Sequence, residues 1–203
     1  MDTSVTYRAY NPTTDRQALW ELKRGFELGL GEGTGDDEKT QQYEAKLDDD
    51  YRDGYLEWVE RCQATEPNAV TVAVNPGPDV NVDTELDVTV DSDADVATDV
   101  DTGTNAGPST APPSLVGYVF VLPDEHAYIW DAAVLNELYV RPAFRGTGVA
   151  DGLMERAIET AREQSLPLER LVLDVDREND RAQAFYDRYG FDHWGEMVAR
   201  SLE

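Results

Sequence analysis

The sequence predicts an α/β (α+β) protein with a mixed sheet and helices on both faces of that sheet. Short runs of alternating or continuous apolar residues indicate strands, and longer segments with apolar residues every three or four positions indicate helices packed on a core. These segments follow one another in the order β-α-α-β-β-β-α-β-α-β-β, which is typical of a sheet covered by helices. A chain of 203 residues, of which 40% are hydrophobic, can bury one core, so residues 1–203 are expected to form one domain.

The N-terminal third predicts a strand followed by two helices. The strand runs from Val5 to Tyr10, and the first helix ends at Gly29-Leu30-Gly31. Four glycines and four acids predict a mobile loop from Gly29 to Lys39. Aromatic residues at helical intervals predict a second helix from Thr40 to Ala64, which Gly54 interrupts, and this aromatic stripe is interpreted as core packing.

An acidic segment separates two predicted strands, Ala69–Val74 and Leu115–Leu122. Residues 75–114 contain nine acids, no Lys or Arg, and no aromatic residue. A segment of this composition cannot bury enough apolar surface to fold on its own. We therefore predict that it is a disordered loop inserted in a β-hairpin.

The C-terminal half predicts a strand, a glycine-bearing loop and a helix, followed by further strands around a last helix. The helix after the loop has one apolar face, formed by Leu153, Met154, Ala157, Ile158 and Ala161. The other predicted elements, in chain order, are a strand Val134–Val140, which is extended or preceded by Ala127–Trp130, an interior strand Leu168–Val175, a helix Asn179–Tyr189 that Gly190 ends, and two short strands Phe191–Trp194 and Met197–Leu202.

Acidic residues dominate the surface that this fold would expose. The formal net charge is −25, with 42 Asp and Glu against 17 Lys and Arg. Such a chain repels itself in dilute buffer and is screened in concentrated salt, which predicts a halophilic protein from a salt-accumulating cytoplasm. The same charge argues against binding nucleic acid or an anionic membrane, since both require patches of Lys and Arg.

Cysteine and histidine are too scarce for a disulfide or a metal centre. Cys62 is the only cysteine, and His126 and His193 are the only histidines. We therefore expect no intrachain disulfide and no metal. The first residues are polar and no apolar run is long enough to span a membrane, so we expect a soluble, intracellular protein.

The loop between the predicted strand Val134–Val140 and its following helix has the chemistry of an anion site. A helix N-terminus exposes unpaired N–H groups and a partial positive charge. Gly146 and Gly148 carry no Cβ, so an anion can approach the backbone closely, and Arg145 can add a charged contact. A tight turn with a packing glycine is the alternative interpretation of the same residues.

Two motifs in fixed order resemble a known family. R-x-x-G-x-A at Arg145–Ala150 follows a strand that ends Leu-Tyr-Val-Arg-Pro, and N-x-x-A-x-x-F-Y-x-x-x-G-F spans Asn179–Phe191. In both motifs, the chain resembles the GNAT superfamily of acyl-CoA-dependent N-acetyltransferases. Its acidity resembles that of a haloarchaeal member. The resemblance covers Val134–Phe191, whereas in residues 1–133 only the order of elements agrees.

The resemblance implies a GNAT fold in which the fourth and fifth strands splay apart and the thioester of acetyl-CoA lies in the gap. It also implies that the backbone of the loop holds the pyrophosphate and that the fourth strand binds the pantetheine arm through main-chain groups. Aromatic residues of the second helix would then face the acceptor. The cofactor-binding residues implied are Leu138, Tyr139, Val140, Arg145, Gly146, Thr147, Gly148, Val149, Ala150, Asp151, Asn179 and Tyr186.

For catalysis, the resemblance assigns Tyr186 as the acid that protonates the departing thiolate, a proton transfer that a phenol can make. Asn179 is either a cofactor contact or only a helix cap. Glu137 is the candidate base and lies just before an expected bulge, while His126, His193 and Asp131 are weaker candidates. Asp151 departs from the pattern, because its charge would repel a pyrophosphate unless its side chain turns away.

The resemblance thus implies transfer of an acetyl group from acetyl-CoA to a primary amine, by direct attack in a ternary complex. The acceptor is expected to be a small molecule or a peptide, and a homodimer is possible. One alternative is a CoA-binding regulatory or interaction module that has lost catalysis and uses the acidic insert as a contact arm. Another is a different nucleotide ligand at the same loop.

Overall fold

The computed structural model describes residues 5–32, 41, 43–77, 113–195, 197–198 and 200. The strands are β1 (Thr6–Ala9), β2 (Val70–Asn75), β3 (Ser114–Val121), β4 (Ala133–Val140) and β5 (Leu171–Val172). The helices are α1 (Pro12–Glu32), α2 (Asp49–Thr65), α3 (Val149–Glu163) and α4 (Asp180–Asp187), with short 3-10 turns at Asp124–Ile129 and Pro142–Phe144. No helix of these ranges is long and apolar enough to cross a membrane.

The five strands form a mixed sheet in the order β1-β2-β3-β4-β5. The first four are antiparallel neighbours, and β5 is parallel to β4. That parallel pairing is confined to Ala133 with Leu171 and Val134 with Val172, although β4 continues to Val140. β5 does not continue alongside the rest of β4. A gap therefore opens between the two strands, next to the second half of β4. The predicted fold class is confirmed.

Helices cover both faces of the sheet, as predicted. On one face, α1 and α2 pack over a core that includes Leu19, Leu22, Val59, Tyr118 and Phe120. On the other face, α3 buries Leu153, Met154 and Ala157 against β3 and β4, with aromatic residues of the last helix packed at its edge. The apolar face predicted for α3 is therefore a core face, and only Ile158 of that set is partly exposed.

The boundaries of the first two helices differ from the prediction. α1 continues through Gly29 to Glu32, because a glycine costs only about 1 kcal/mol in a helix and does not by itself end one. The rest of the predicted mobile loop, residues 33–39, lies outside the described residues. Gln41 and Tyr43–Ala45 are helical as predicted, but the helix is interrupted before Asp49, where the Asp48 side chain accepts a hydrogen bond from the Tyr51 amide at 2.8 Å and caps a separate helix, α2. Gly54 does not interrupt it.

The predicted insertion 75–114 is too long at both ends. Asn75 is the last residue of β2 and pairs with Ser114, the first residue of β3. The hairpin ladder therefore includes both predicted boundary residues. The disorder predicted for the segment concerns residues 78–112, which lie outside the described residues.

The predicted strands near the C-terminus are mostly wrong. Instead of Leu168–Val175, only Leu171 and Val172 form a strand, because β4 and β5 separate and the chain loses its ladder partner. Ala127–Trp130 belongs to a 3-10 turn rather than to a strand. None of the described residues from Phe191 onward is in a strand, and Trp194 and Val198 are strongly exposed. An apolar pattern does not form a strand without a neighbouring edge to pair with.

Candidate active site

The loop between β4 and α3 requires glycine at two positions. Gly146 has φ 77° and Gly148 has φ 86°, a left-handed conformation that other residues rarely adopt. Gly148 occupies the N-cap position of α3 and has no side chain to cap the helix. The helix therefore begins with its N-terminal amides uncovered by protein.

The amides of residues 146–151 form the most distinctive feature of this loop. Within the described part of the chain, none of them donates to a protein acceptor, and the first bonded amide is that of Gly152, which donates to the Gly148 carbonyl at 3.1 Å. Unpaired N–H groups at the positive end of a helix dipole bind anions. The loop therefore fits a phosphate or pyrophosphate group through Gly146, Thr147, Gly148, Val149, Ala150 and Asp151.

Two side chains hold the loop in shape. The Arg145 Nε donates to the Val140 carbonyl at 3.1 Å, and its guanidinium lies 5.8 Å from the centre of the Tyr139 ring. The Thr147 hydroxyl donates to the Phe144 carbonyl at 2.7 Å. Arg145 thus fastens the loop to the end of β4 and is exposed at its mouth.

The Asp151 carboxylate turns away from the loop. It accepts hydrogen bonds from the Tyr189 hydroxyl at 2.9 Å and from Arg188 Nη2 at 3.1 Å, both at the end of α4. Burial, together with the hydrogen bond to Asp151, raises the pKa of Tyr189 to about 12. The repulsion expected between Asp151 and a bound pyrophosphate is thereby reduced, because the charge is compensated by Arg188.

The main-chain N–H and C=O groups of β4 point into the gap at every second residue. The Arg141 amide donates to the Val116 carbonyl at 2.8 Å, which fixes the alternation of the antiparallel ladder. The main chain of Tyr139 therefore faces β3, and those of Leu138 and Val140 face the gap. The Val140 carbonyl already accepts a hydrogen bond from Arg145. Of the three residues, Leu138 therefore has the main-chain groups that are most available to a ligand. Tyr139 is corrected from a main-chain cofactor contact to a ladder residue.

Tyr186 lies on α4, and Asn179 is the N-cap residue of this helix. The Tyr186 ring packs against Phe185 and Phe191, in the same core cluster as Leu138. Burial raises the pKa of Tyr186 to about 12, and among the described residues its hydroxyl has no hydrogen-bond partner. The Asn179 side chain accepts from the Ala182 amide at 3.0 Å, so of its two predicted roles the helix cap is the one observed.

The Glu137 side chain lies on the other face of the sheet from Tyr186 and is 4% exposed. Its Oε1 accepts from Lys23 Nζ at 2.6 Å, and its Oε2 accepts from the hydroxyls of Tyr55 and Tyr118 at 2.7 and 2.6 Å. The bulge expected near it is present, but it precedes Glu137: Phe120 pairs with Glu137 and Val121 with Leu135, which leaves Asn136 as the extra residue.

The ion network around Glu137 extends further than the sequence indicates. Lys23 also pairs with Glu27, one helical turn away, and Glu27 pairs in turn with Lys46 at 2.7 Å and accepts from the Tyr51 hydroxyl at 3.1 Å. Burial lowers the pKa of Lys23, but the attraction of Glu137 and Glu27 outweighs it and raises the pKa overall. In the sequence, which contains few lysines, the spacing of Lys23 and Glu27 by one helical turn was the one sign of this network.

A pocket of about 430 Å³ opens beside this network. The α2 side chains of Tyr51, Tyr55 and Trp58 line it, together with Gly54, Lys23, Asn136 and Glu137. The weaker base candidates His126, Asp131 and His193 do not line it. In the described ranges, no group of three or more His, Cys, Asp or Glu side chains is arranged to hold a metal. The aromatic stripe of α2 therefore serves both the core and the wall of this pocket.

Comparison with known proteins finds relatives that match part of the chain. An uncharacterised N-acetyltransferase of Mycobacterium tuberculosis is 34% identical over 77 residues, which cover 38% of this chain and 46% of that protein. One of Methanocaldococcus jannaschii is 36% identical over 76 residues, covering 34% of this chain and 33% of that protein. This chain thus matches less than half the length of these relatives.

Solved structures share the fold over nearly the whole chain. The PaiA N-acetyltransferase of Thermoplasma acidophilum, in complex with coenzyme A, has a TM-score of 0.58 at 18% identity and covers 93% of this chain and 90% of its own. A GCN5-related N-acetyltransferase of Ralstonia eutropha has a TM-score of 0.55 at 15% identity and covers 98% of this chain and 100% of its own.

A family model adds the last comparison. Residues 103–191 match the acetyltransferase (GNAT) family, and this range contains β4, the glycine loop, α3 and α4. The splayed strands and the uncovered helix N-terminus occur within the same range. This part of the chain is therefore similar to the GNAT family, and the solved structures share the fold of the chain.

Proposed function

We propose that the protein transfers an acetyl group from acetyl-CoA to a primary amine in a ternary complex. The observation that carries this proposal is the row of unpaired amides at residues 146–151, which begins α3 directly beside the gap between β4 and β5. A diphosphate requires several donors at a positively polarised site, and this loop supplies them without a metal. The structural neighbour with bound coenzyme A supports the choice of ligand.

Residues on both sides of the gap fit the rest of such a ligand. Leu138 directs its main-chain groups into the gap, where a pantetheine arm could pair with them as an added strand would. Arg145 lies exposed at the mouth of the loop and offers a charge-assisted contact to a phosphate. Acetyl-CoA supplies an acetyl thioester, which is already activated for transfer.

The transfer requires one bond to form and one to break. The amine nitrogen forms a bond with the acetyl carbon, and the carbon–sulfur bond breaks with its electron pair staying on sulfur. Tyr186 donates its hydroxyl proton to that sulfur as the bond breaks, because its raised pKa of about 12 keeps the phenol protonated at neutral pH. The amine proton passes to Glu137, directly or through water, and solvent restores the proton of Tyr186.

Glu137 is the proposed acceptor of the amine proton at the acceptor side. Its carboxylate lines the pocket next to the bulge of β4, one residue from Leu138. Lys23, Tyr55 and Tyr118 hold both of its oxygens in fixed positions. Asn136 Nδ2 also donates to Oε1 at 3.2 Å, so the carboxylate is held in one orientation at the wall of the pocket rather than free to rotate.

The test is release of free thiol from acetyl-CoA with a panel of primary amines in molar KCl. Tyr186→Phe keeps the ring and its packing but removes the proton donor, so kcat should fall by about 100-fold or more with little change in the KM for acetyl-CoA. Tyr128→Phe removes a hydroxyl from a tyrosine that is 83% exposed and should leave kcat unchanged.

Two outcomes would contradict the proposal. Binding of acetyl-CoA without thiol release on any amine would favour a CoA-binding module that has lost catalysis. Protection against thermal unfolding by ATP or NAD, but not by CoA, would point to a different nucleotide at the loop.

A further inference from the structure

We infer that the acceptor is a primary amine carried on a flat, uncharged apolar group, which binds in the pocket between α2 and β4. This inference rests on the proposed function and adds the class of substrate to it. It depends on three features of the pocket: its aromatic wall, its balanced charge, and the position of its polar groups.

Aromatic rings form the wall that α2 contributes. Tyr51 and Tyr55 stack with their ring centres 6.4 Å apart, and Trp58 meets Tyr55 edge-on at 6.1 Å. The three residues follow one another at helical spacing, so their rings line one side of the pocket. A flat apolar group gains from contact with such rings both the burial of its surface and the preferred geometry of aromatic pairs.

The charges of the pocket cancel. Lys23 and Glu137 are the charged residues that line it, and they pair with each other at 2.6 Å. Behind them, Glu27 is paired with both Lys23 and Lys46. The reacting nitrogen attacks as a neutral amine and needs no counterion, but any further ammonium group stays charged, and among the described lining residues the one carboxylate, Glu137, is already paired. A polyamine would therefore lose hydration of its remaining charges without compensation.

The polar groups lie at one end, where the reaction is expected. Glu137 and Asn136 occupy the bulge of β4, immediately before Leu138, whose main chain faces the gap. An amine nitrogen at this end lies close to the proposed position of the thioester. The body of the acceptor then extends away from β4, along the rings of Tyr51, Tyr55 and Trp58.

Gly54 allows the pocket to be filled without disturbing the fold. A Cβ built at Gly54 meets no atom within 4 Å, although the residue lies in α2 and lines the pocket. Gly29 is the matched control position. It also lies in a helix, and a Cβ built there meets no atom within 4 Å, but Gly29 does not line the pocket. Replacing either glycine with leucine should stabilise its helix.

The experiment compares kcat/KM for phenethylamine, ethylamine and spermidine in the wild type, Gly54→Leu and Gly29→Leu. In the wild type, we expect phenethylamine to exceed spermidine by about 10-fold or more, which corresponds to about 1.4 kcal/mol. In Gly54→Leu, the phenethylamine-to-ethylamine ratio should fall by about 10-fold, because the leucine occupies the space of the ring. In Gly29→Leu the ratio should stay at the wild-type value.

The possible failures can be distinguished. A preference for spermidine, or an unchanged ratio in Gly54→Leu, would overturn the inference while the acetyltransferase function stands. Absence of thiol release with all three amines, in a protein that still binds acetyl-CoA, would overturn the proposed function and the inference together. Calorimetric titration of phenethylamine in the presence of CoA reports binding at the pocket independently of turnover.

Discussion

Lys23 and Glu137 show how a buried ion pair can be retained next to a pocket. Both side chains are 4% exposed, and isolated charges at that depth would cost several kcal/mol each. Here each charge is matched: Lys23 faces two carboxylates, and Glu137 receives an ammonium and two phenol donors. The pair joins α1 to β4, so it fixes the carboxylate relative to the sheet.

We predict that Lys23→Met lowers the free energy of unfolding by about 3–5 kcal/mol, because it leaves Glu27 and Glu137 buried without their shared cation. Urea denaturation in molar KCl measures the loss. Lys46→Met is the matched control: Lys46 is 38% exposed and also pairs with Glu27, so its loss should be below about 1 kcal/mol. Equal losses in the two variants would show that the Lys23 pair adds no more than a surface pair does.

The pH dependence of this network follows from its two shifted groups. Burial opposes the charge of Glu27, but Lys23 outweighs burial and lowers the pKa of Glu27 below 4.5. The contribution of Glu27 to the free energy of unfolding is therefore present above pH 4.5 and is lost as the pH falls through the lowered pKa. The pKa of Lys23 is raised above 10.5, so its contribution is present below that pH and is lost only as the pH rises through the raised value.

At this scale, the sequence predicted the residues whose role is local. Gly146, Gly148 and the Asn179 cap belong to motifs of a few residues each; the two glycines have a positive φ, and Asn179 caps its helix as one of its two predicted roles required. Lys23 was not predicted, because its partner Glu137 lies 114 residues away and only the folded sheet brings them together. The position of the Asp151 side chain likewise depends on a partner in another helix.

At the scale of elements, α4 is tied to the start of α3 by Asp151. Tyr189 and Arg188, at the end of α4, both donate to this carboxylate. The same helix carries Tyr186, which packs at the edge of the core beneath α3. The carboxylate thus links the helix of the proposed acid to the loop of the proposed cofactor site.

We predict that Asp151→Ala lowers kcat by several-fold and the free energy of unfolding by about 1 kcal/mol, because α4 loses its attachment to α3. Asp151→Asn should retain most of both, since the amide oxygen can still accept from the Tyr189 hydroxyl. Steady-state kinetics and thermal unfolding compare the two variants. If Asp151→Asn is impaired as much as Asp151→Ala, the charge rather than the hydrogen bond holds α4.

Element boundaries depended on tertiary partners that a local pattern does not contain. The apolar run Leu168–Val175 has the composition of a strand, yet only two of its residues pair, because β4 and β5 diverge. The start of α2 depends on Asp48, whose side chain caps the helix at a position that the aromatic spacing passes over. By contrast, α3 was predicted closely, since its glycine loop and its apolar face both act within the segment.

At the scale of the whole molecule, charge and fold act separately. The chain has a net charge of −25, whereas the sheet with its two cores is built from apolar residues on both faces. We therefore expect acidity to affect the conditions under which the fold persists rather than which fold forms. Repulsion between exposed carboxylates reaches about 30 Å at 0.01 M salt and about 3 Å at 1 M.

We predict that the free energy of unfolding rises with KCl concentration and that the protein loosens in dilute buffer. Urea denaturation at low and molar KCl measures the effect. Sucrose at low salt serves as a control, because it favours burial without screening charge. Equal stability at low and molar KCl would contradict the predicted adaptation to salt, and full rescue by sucrose would show that screening is not the cause.

Successive residues of one strand, Glu137 and Leu138, present themselves to opposite sides of the sheet. If donor and acceptor are held on these two sides, neither obstructs the entry of the other, and binding in either order is open to the protein. Substitutions on α2 can then redirect amine choice while the phosphate loop, on the far side, stays as it is. In that arrangement, one strand would let the donor site and the acceptor site change independently of each other.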